Sequence, residues 1–172
     1  MKRTPFGTWP CSIARAVDIV GDWWTPLVLR EMFYGLKRFD EFERTLRIGR
    51  NILTQRLNRL VAEGLVERVP YQDKPLRHEY VLTEMGRDFF PVLAAMSRWG
   101  DRWLAPEGAP VVFHHTCGHT THAEVVCAHC GDPLEMTDVQ VSLGPGYPDR
   151  HRDAAMATGR FVDGSAGIHS PG

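Results

Sequence analysis

The sequence predicts an α+β chain that is mostly α: a helical domain completed by one hairpin and a long last helix, then a small Cys/His module and a flexible tail. Three observations predict this. Apolar residues recur at helical spacing from about residue 10 to residue 104, and the period shortens to two only around 65–82. Three of the four cysteines fall between Cys117 and Cys130, in a stretch also rich in histidine. From 137 to 172 the chain is dominated by Gly, Pro, Asp and Ala, so burial cannot offset the entropy of ordering it. The expected units are therefore 10–104, 110–136 and 137–172, with Pro106, Gly108 and Pro110 between the first two.

Ile13, Ala16, Val17 and Val20 define a first helix that stops at Gly21. Asp22 or Thr25 can cap the second, which tolerates Pro26 in its first turn. It presents Leu27, Leu29, Met32 and Phe33, then ends near Gly35. A third helix begins about Arg38 on Phe39, Phe42 and Leu46, and Arg47-Ile48-Gly49 breaks it. A fourth spans about 50–62 with Ile52, Leu53, Leu57, Leu60 and Val61 inward, and closes at Gly64. Alternation from Leu65 to Tyr71, a turn signal at Gln72-Asp73-Lys74-Pro75 and a return over 77–82 make a hairpin. Thr83 then caps one long helix to Leu104. Its stripe of Phe89, Leu93, Met96, Trp99 and Trp103 carries more apolar surface than a small core needs, which points to a dimer interface.

Helix, tight break, helix and hairpin in that order form a winged helix-turn-helix, in which one helix must be pinned by the core while its far face fits a major groove. The helix at 50–62 meets that demand. Between its inward residues lie Arg50, Asn51, Thr54, Gln55, Asn58 and Arg59, whose guanidinium, amide and hydroxyl groups read base edges or phosphates. A net charge of −1 over 172 residues argues against uniform attraction to nucleic acid. The distribution argues for it: Lys37 to Leu60 carries seven basic against three acidic residues, a net of +4, and the hairpin tip adds Lys74 and Arg77 against Asp73. Double-stranded DNA is the expected partner. No apolar stretch has the length of a signal peptide core or the roughly 20 residues needed to span a bilayer, so a soluble cytoplasmic chain without a membrane partner is expected.

Five segments carry a resemblance: CSIARAVDIV from Cys11, GDWWTPLVLRE from Gly21, KRFDEFE from Lys37, LTQRLNRLVAEGLVER from Leu53 and HEYVLTEMG from His78. Together they resemble the HxlR family of winged-helix regulators, relatives of the MarR type. The resemblance implies a homodimer that joins its first and last helices, sits on a two-fold symmetric operator and can answer to a small-molecule or oxidant effector. Cys11 precedes the first helix, where backbone N–H groups stabilise a thiolate. It matches the position of a cysteine that senses oxidants or electrophiles in some relatives, so Cys11 is the candidate redox sensor; a small apolar residue at a dimer seam is the alternative.

Two short stretches share one pattern: His114-x-x-Cys117-Gly118 and Cys127-x-x-Cys130-Gly131, nine residues apart. Such spacing lets two side chains converge across a tight turn, so the set His114, Cys117, Cys127 and Cys130 predicts a zinc-ribbon-like site for structural Zn²⁺. His119 is the main rival for the nitrogen position, with His115 and His122 behind it. A full protein ligand set leaves no open coordination position, which favours structure over catalysis and a chain that is not an enzyme. A metal-dependent enzyme, for which Glu124 is the nearby acid, and a protein–protein adaptor are the competing readings.

Overall fold

The computed structural model describes residues 5–163. Its elements follow in the order α1 (Ser12–Val20), α2 (Thr25–Phe33), α3 (Phe39–Leu46), α4 (Arg50–Ala62), β1 (Val66–Asp73), β2 (Leu76–Leu82), α5 (Glu84–Arg87) and α6 (Phe90–Leu104). Beyond these come β3 (Phe113–His114), β4 (Thr120–Thr121) and a 3₁₀ turn at Asp149–His151 that leads into α7 (Arg152–Met156). The chain is thus mostly helical with small antiparallel sheets, as expected.

Local chemistry sets the helix starts. The Asp22 carboxylate accepts from the backbone N–H groups of Trp24 and Thr25 at 2.9 and 3.0 Å, satisfying donors that open α2. Glu41 reaches back to the N–H groups of Lys37 and Arg38 at 3.1 and 2.9 Å and does the same for α3. One core follows: Val28, Leu29 and Met32 from α2, Phe42 from α3, Ile48 from the break, Leu53, Leu57 and Leu60 from α4, and Leu65 and Val66 at the start of the hairpin. In the hairpin Val66 opposes Leu82 and Asp73 opposes Leu76, with an irregularity between Pro70 and Gln72. Pro70 has no N–H to give the ladder. The loop before α3 lies along the outer edge of β2, where the Tyr80 N–H donates to the Lys37 carbonyl at 2.8 Å.

Two expectations are corrected here. Ile52, placed inward on the sequence, is 40% exposed. The single helix expected from Thr83 to Leu104 is two, α5 and α6, joined through Asp88 and Phe89. Pro91 explains the division: it donates no N–H, and its ring clashes with the carbonyl four residues back. The apolar stripe divides as well. Phe89 and Leu93 pack against the core, whereas Met96, Trp99 and Trp103 are exposed.

From Ala105 to Ala154 no residue is buried. The segment expected as a tail carries local structure as far as Asp163: the Tyr147 and Phe161 rings lie 6.4 Å apart, Ser142 bridges Val162, and Ala155 is buried. Residues 164–172 of that predicted tail lie outside the described residues. Among the described residues no helix is long and apolar enough to cross a membrane.

Candidate nucleic-acid interface

The face of α4 opposite Leu53, Leu57 and Leu60 is formed by Asn51, Thr54, Gln55 and Asn58, all exposed and spaced i, i+3, i+4, i+7. The two arginines within the helix do not share it. Arg56 Nε lies 3.0 Å from Asp22 Oδ1, the same carboxylate that caps α2. Arg59, expected among the outward readers, turns to α1: its Nη2 donates to the Asp18 carbonyl at 2.7 Å and lies 3.6 Å from Glu63 Oε1. The correction has a geometric cause. Position 59 sits three residues past 56 on the flank toward α1, where a carbonyl in the last turn of that helix lacks an intrahelical partner. Arg56 and Arg59 therefore hold α4 in place, and the exposed face is left to amides and a hydroxyl.

Positive charge gathers instead beside that face. A groove of about 480 Å³ runs between the start of α4 and the hairpin, lined by Arg38, Arg50, Arg77 and His78 against Asp40. Arg50 is 72% exposed at its side chain, lies over the Phe39 ring and contacts Glu43 Oε2 at 3.0 Å. Arg38 stacks on Tyr71, 4.5 Å to the ring centroid, and donates to Glu79 at 3.1 Å, a hydrogen bond that raises its already high pKa. Arg77 sits opposite Gln72 on the hairpin, and Lys74 is exposed at its tip.

Sequence reasoning missed Arg68. This β1 residue donates to Asn58 Oδ1 and lies over the Tyr80 ring, so it links the hairpin to the exposed face of α4. The signal was present: Arg68 alternates with Glu67 and shares the strand face of Val66, which is buried against the core. Arg38 entered the sequence reading as a helix start and in a charge sum, not as a site residue.

Cys11 caps α1. Its Sγ accepts from the Ala14 N–H at 3.5 Å, and the residue is exposed.

The Cys/His residues form two turns but do not converge. Cys127 and Cys130 share one turn, where backbone N–H groups of Cys130 and then His129 hold the Cys127 thiol below its usual range. In the other turn Cys117 Sγ lies 3.7 Å from His119 Nδ1, while His114 stands on β3 opposite Thr120. His115 Nδ1 accepts from the Cys117 N–H at 3.3 Å, and His122 contacts Glu124 at 3.2 Å. Among the described residues no three such side chains are close enough to hold a metal. The stretch rests on α6 through a chain of rings, Phe33 to Phe90 at 5.1 Å and Phe90 to Phe113 at 5.8 Å, and through Arg98 beside Glu124 at 3.5 Å.

Residues 19–108 match the HxlR-like helix-turn-helix family. An HTH-type transcriptional regulator of Mycobacterium tuberculosis is 46% identical over 138 residues, covering 79% of this chain and 87% of that one. An alignment of that length takes in the Cys/His stretch as well as the winged domain. Among solved structures, PA1607, a candidate transcription factor, superposes with a TM-score of 0.72 at 35% identity over 80% of this chain and 98% of its own. The reduced form of the redox regulator HypR superposes with a TM-score of 0.52 at 34% identity, over 56% of this chain and 99% of its own.

Proposed function

The chain belongs to the HxlR-like helix-turn-helix family, and from that premise we propose that it is a homodimeric, non-enzymatic transcription regulator that reads a two-fold symmetric operator with α4. The observation that carries this reading is the pairing of an exposed amide face, Asn51, Gln55 and Asn58, with the groove containing Arg38, Arg50 and Arg77 beside it. Asn and Gln side chains can each donate and accept at once, which suits the paired N6 and N7 atoms of adenine in the major groove. Thr54 adds a hydroxyl and a methyl to the same face. Arg50, Arg77 and Lys74 neutralise phosphates along the edges and fix the register without reading sequence. Ile13 and Val17 on α1 and Met96, Trp99 and Trp103 on α6 are exposed in the single chain and supply the apolar surface on which a second copy pairs.

A binding map across the genome of the source organism supplies the operator, and fluorescence anisotropy then tests the roles. Gln55→Ala should cost about 1–3 kcal/mol on the cognate site and relax its preference at one base position. Lys74→Ala with Arg77→Ala should weaken all sequences alike and lower the salt slope by about 1 for each cation removed. Unchanged affinity in an Asn51→Ala/Gln55→Ala variant would refute α4 as the reader.

Redox control through Cys11 is a second element of the proposal. Cys11 presents an exposed thiol at the N-terminus of α1, and the similar HypR is described as a redox regulator. Diamide should release operator from the native protein and spare Cys11→Ser. Equal release from both would reduce Cys11 to a packing residue.

A further inference from the structure

We propose that the cavity between α2, α6 and β3 binds a small uncharged aromatic molecule, of one or two rings, that bears a hydroxyl group.

Helical spacing builds two walls of this cavity. Val28, Leu29 and Met32 turn one side of α2 into the core, and Leu27, Arg30 and Tyr34, at i, i+3 and i+7, form a stripe on another side of the same helix. Across from it Phe90, Ala94 and Ser97 repeat at i, i+4 and i+7 on α6. Phe113 of β3 closes a third side. The rings fix the shape: Phe33 meets Phe90 edge-on at 5.1 Å, and Phe90 meets Phe113 in the same way at 5.8 Å. Ala94 and Ser97 are short where their neighbours are long, and a space of about 260 Å³ is left between the helices. Drug-sized ligands take about 300–1,000 Å³, so two rings is the upper bound here. Phe113 lies outside the 19–108 family match, so the cavity is completed by a residue that the winged domain does not supply.

The lining selects the chemistry. Among the described residues Arg30 is the one charged side chain in the wall, and its charge is already matched. Its Nε donates to Glu31 Oε1 at 3.0 Å, its Nη2 donates to the same oxygen, and Glu31 is only 5% exposed. An anionic ligand would compete with that buried carboxylate for the guanidinium and leave it unpaired. An uncharged ligand leaves the pair intact. An aromatic ring can pack edge to face on Phe33, Phe90 and Phe113, the geometry these rings already adopt with one another. The hydroxyls of Ser97 and Tyr34 can each donate or accept, and so favour a ligand hydroxyl over a bare hydrocarbon. Water in such a space meets few partners, so a ring that displaces it is bound favourably.

Naphthol is a suitable probe, titrated into the DNA-free full chain by calorimetry and fluorescence, so that the outcome is independent of whether α4 reads an operator. The expected result is saturable binding of about one naphthol per chain. Ser97→Phe places a ring in the space and should weaken binding by about tenfold or more, with the helical circular dichroism unchanged. Phe113→Ala, which removes the third wall from outside the core, should weaken it too. Naphthoate, the anionic analogue, and decalol, the saturated one, should both bind less tightly than naphthol. No saturable binding to the native protein, as would result if a second copy of the chain filled the space, would overturn the proposal. So would equal affinity in the native, Ser97→Phe and Phe113→Ala proteins, which would put the probe elsewhere. Tighter binding of naphthoate would overturn the choice of an uncharged ligand, and tighter binding of decalol the choice of an aromatic one.

Discussion

The winged domain and the Cys/His stretch both carry large apolar residues, yet only the first buries them. Val28, Leu29, Phe42, Leu53 and Leu57 are wholly excluded from solvent, whereas Val111, Val112, Val125, Leu134 and Met136 are all exposed. The winged domain stacks α2, α3 and α4 on the base of a hairpin, so each apolar face meets a second layer. The hairpins at 113–114/120–121 and 125–134 have no second layer of their own and lean on α6 through Phe113 and Glu124. One region is ordered by burial; the other rests on turn closure and a few contacts with α6.

This contrast can be broken or sharpened by substitution. The largest effect is expected from Phe42→Ala, which should cost about 3–5 kcal/mol of global stability in urea unfolding, because the cavity left by a wholly buried ring collapses only in part. Asp22→Ala should lower stability by about 1–2 kcal/mol in the same assay, since it removes the α2 cap and the partner of Arg56 together. The smallest effect is expected from Leu134→Ala, within about 0.5 kcal/mol of the native protein, because that side chain is already exposed. If Leu134→Ala destabilises as much as Phe42→Ala, the stretch has a core that forms only in the assembled dimer, and the contrast fails.

Much of the winged domain was readable because its signals are local. Leu53, Leu57 and Leu60 fix the inner face of α4 by spacing alone, and the exposed polar face follows as its complement. What was not readable depends on partners distant in sequence. Arg59 looked outward until the Asp18 carbonyl, 41 residues earlier, claimed it, and Arg68 gained its meaning from Asn58 on another element. The break before α6 was legible in principle, since Pro91 stands in plain view, but a continuous apolar stripe outweighed it. The Cys/His spacing predicts a converging set of four ligands; both turns exist, but His114, Cys117, Cys127 and Cys130 do not come together among the described residues.

The joint at Asp88 and Phe89 has a mechanical consequence. Thr83 ties the start of α5 to the winged domain, its hydroxyl donating to the Gly64 carbonyl at 2.6 Å and its N–H to the Leu65 carbonyl at 3.0 Å. The exposed tryptophans lie on the far half of α6, beyond that joint. In a dimer built on α6 this helix is a lever of fifteen residues, roughly 22 Å long at 1.5 Å per residue. Tilting such a lever by about 10° moves its end by about 4 Å, close to the 3.4 Å advance of one base pair. Were the chain to pair through α6 on a two-fold operator, as proposed, the distance between half-sites would be geared to the angle at Pro91, and a single substitution there would change which spacings are accepted.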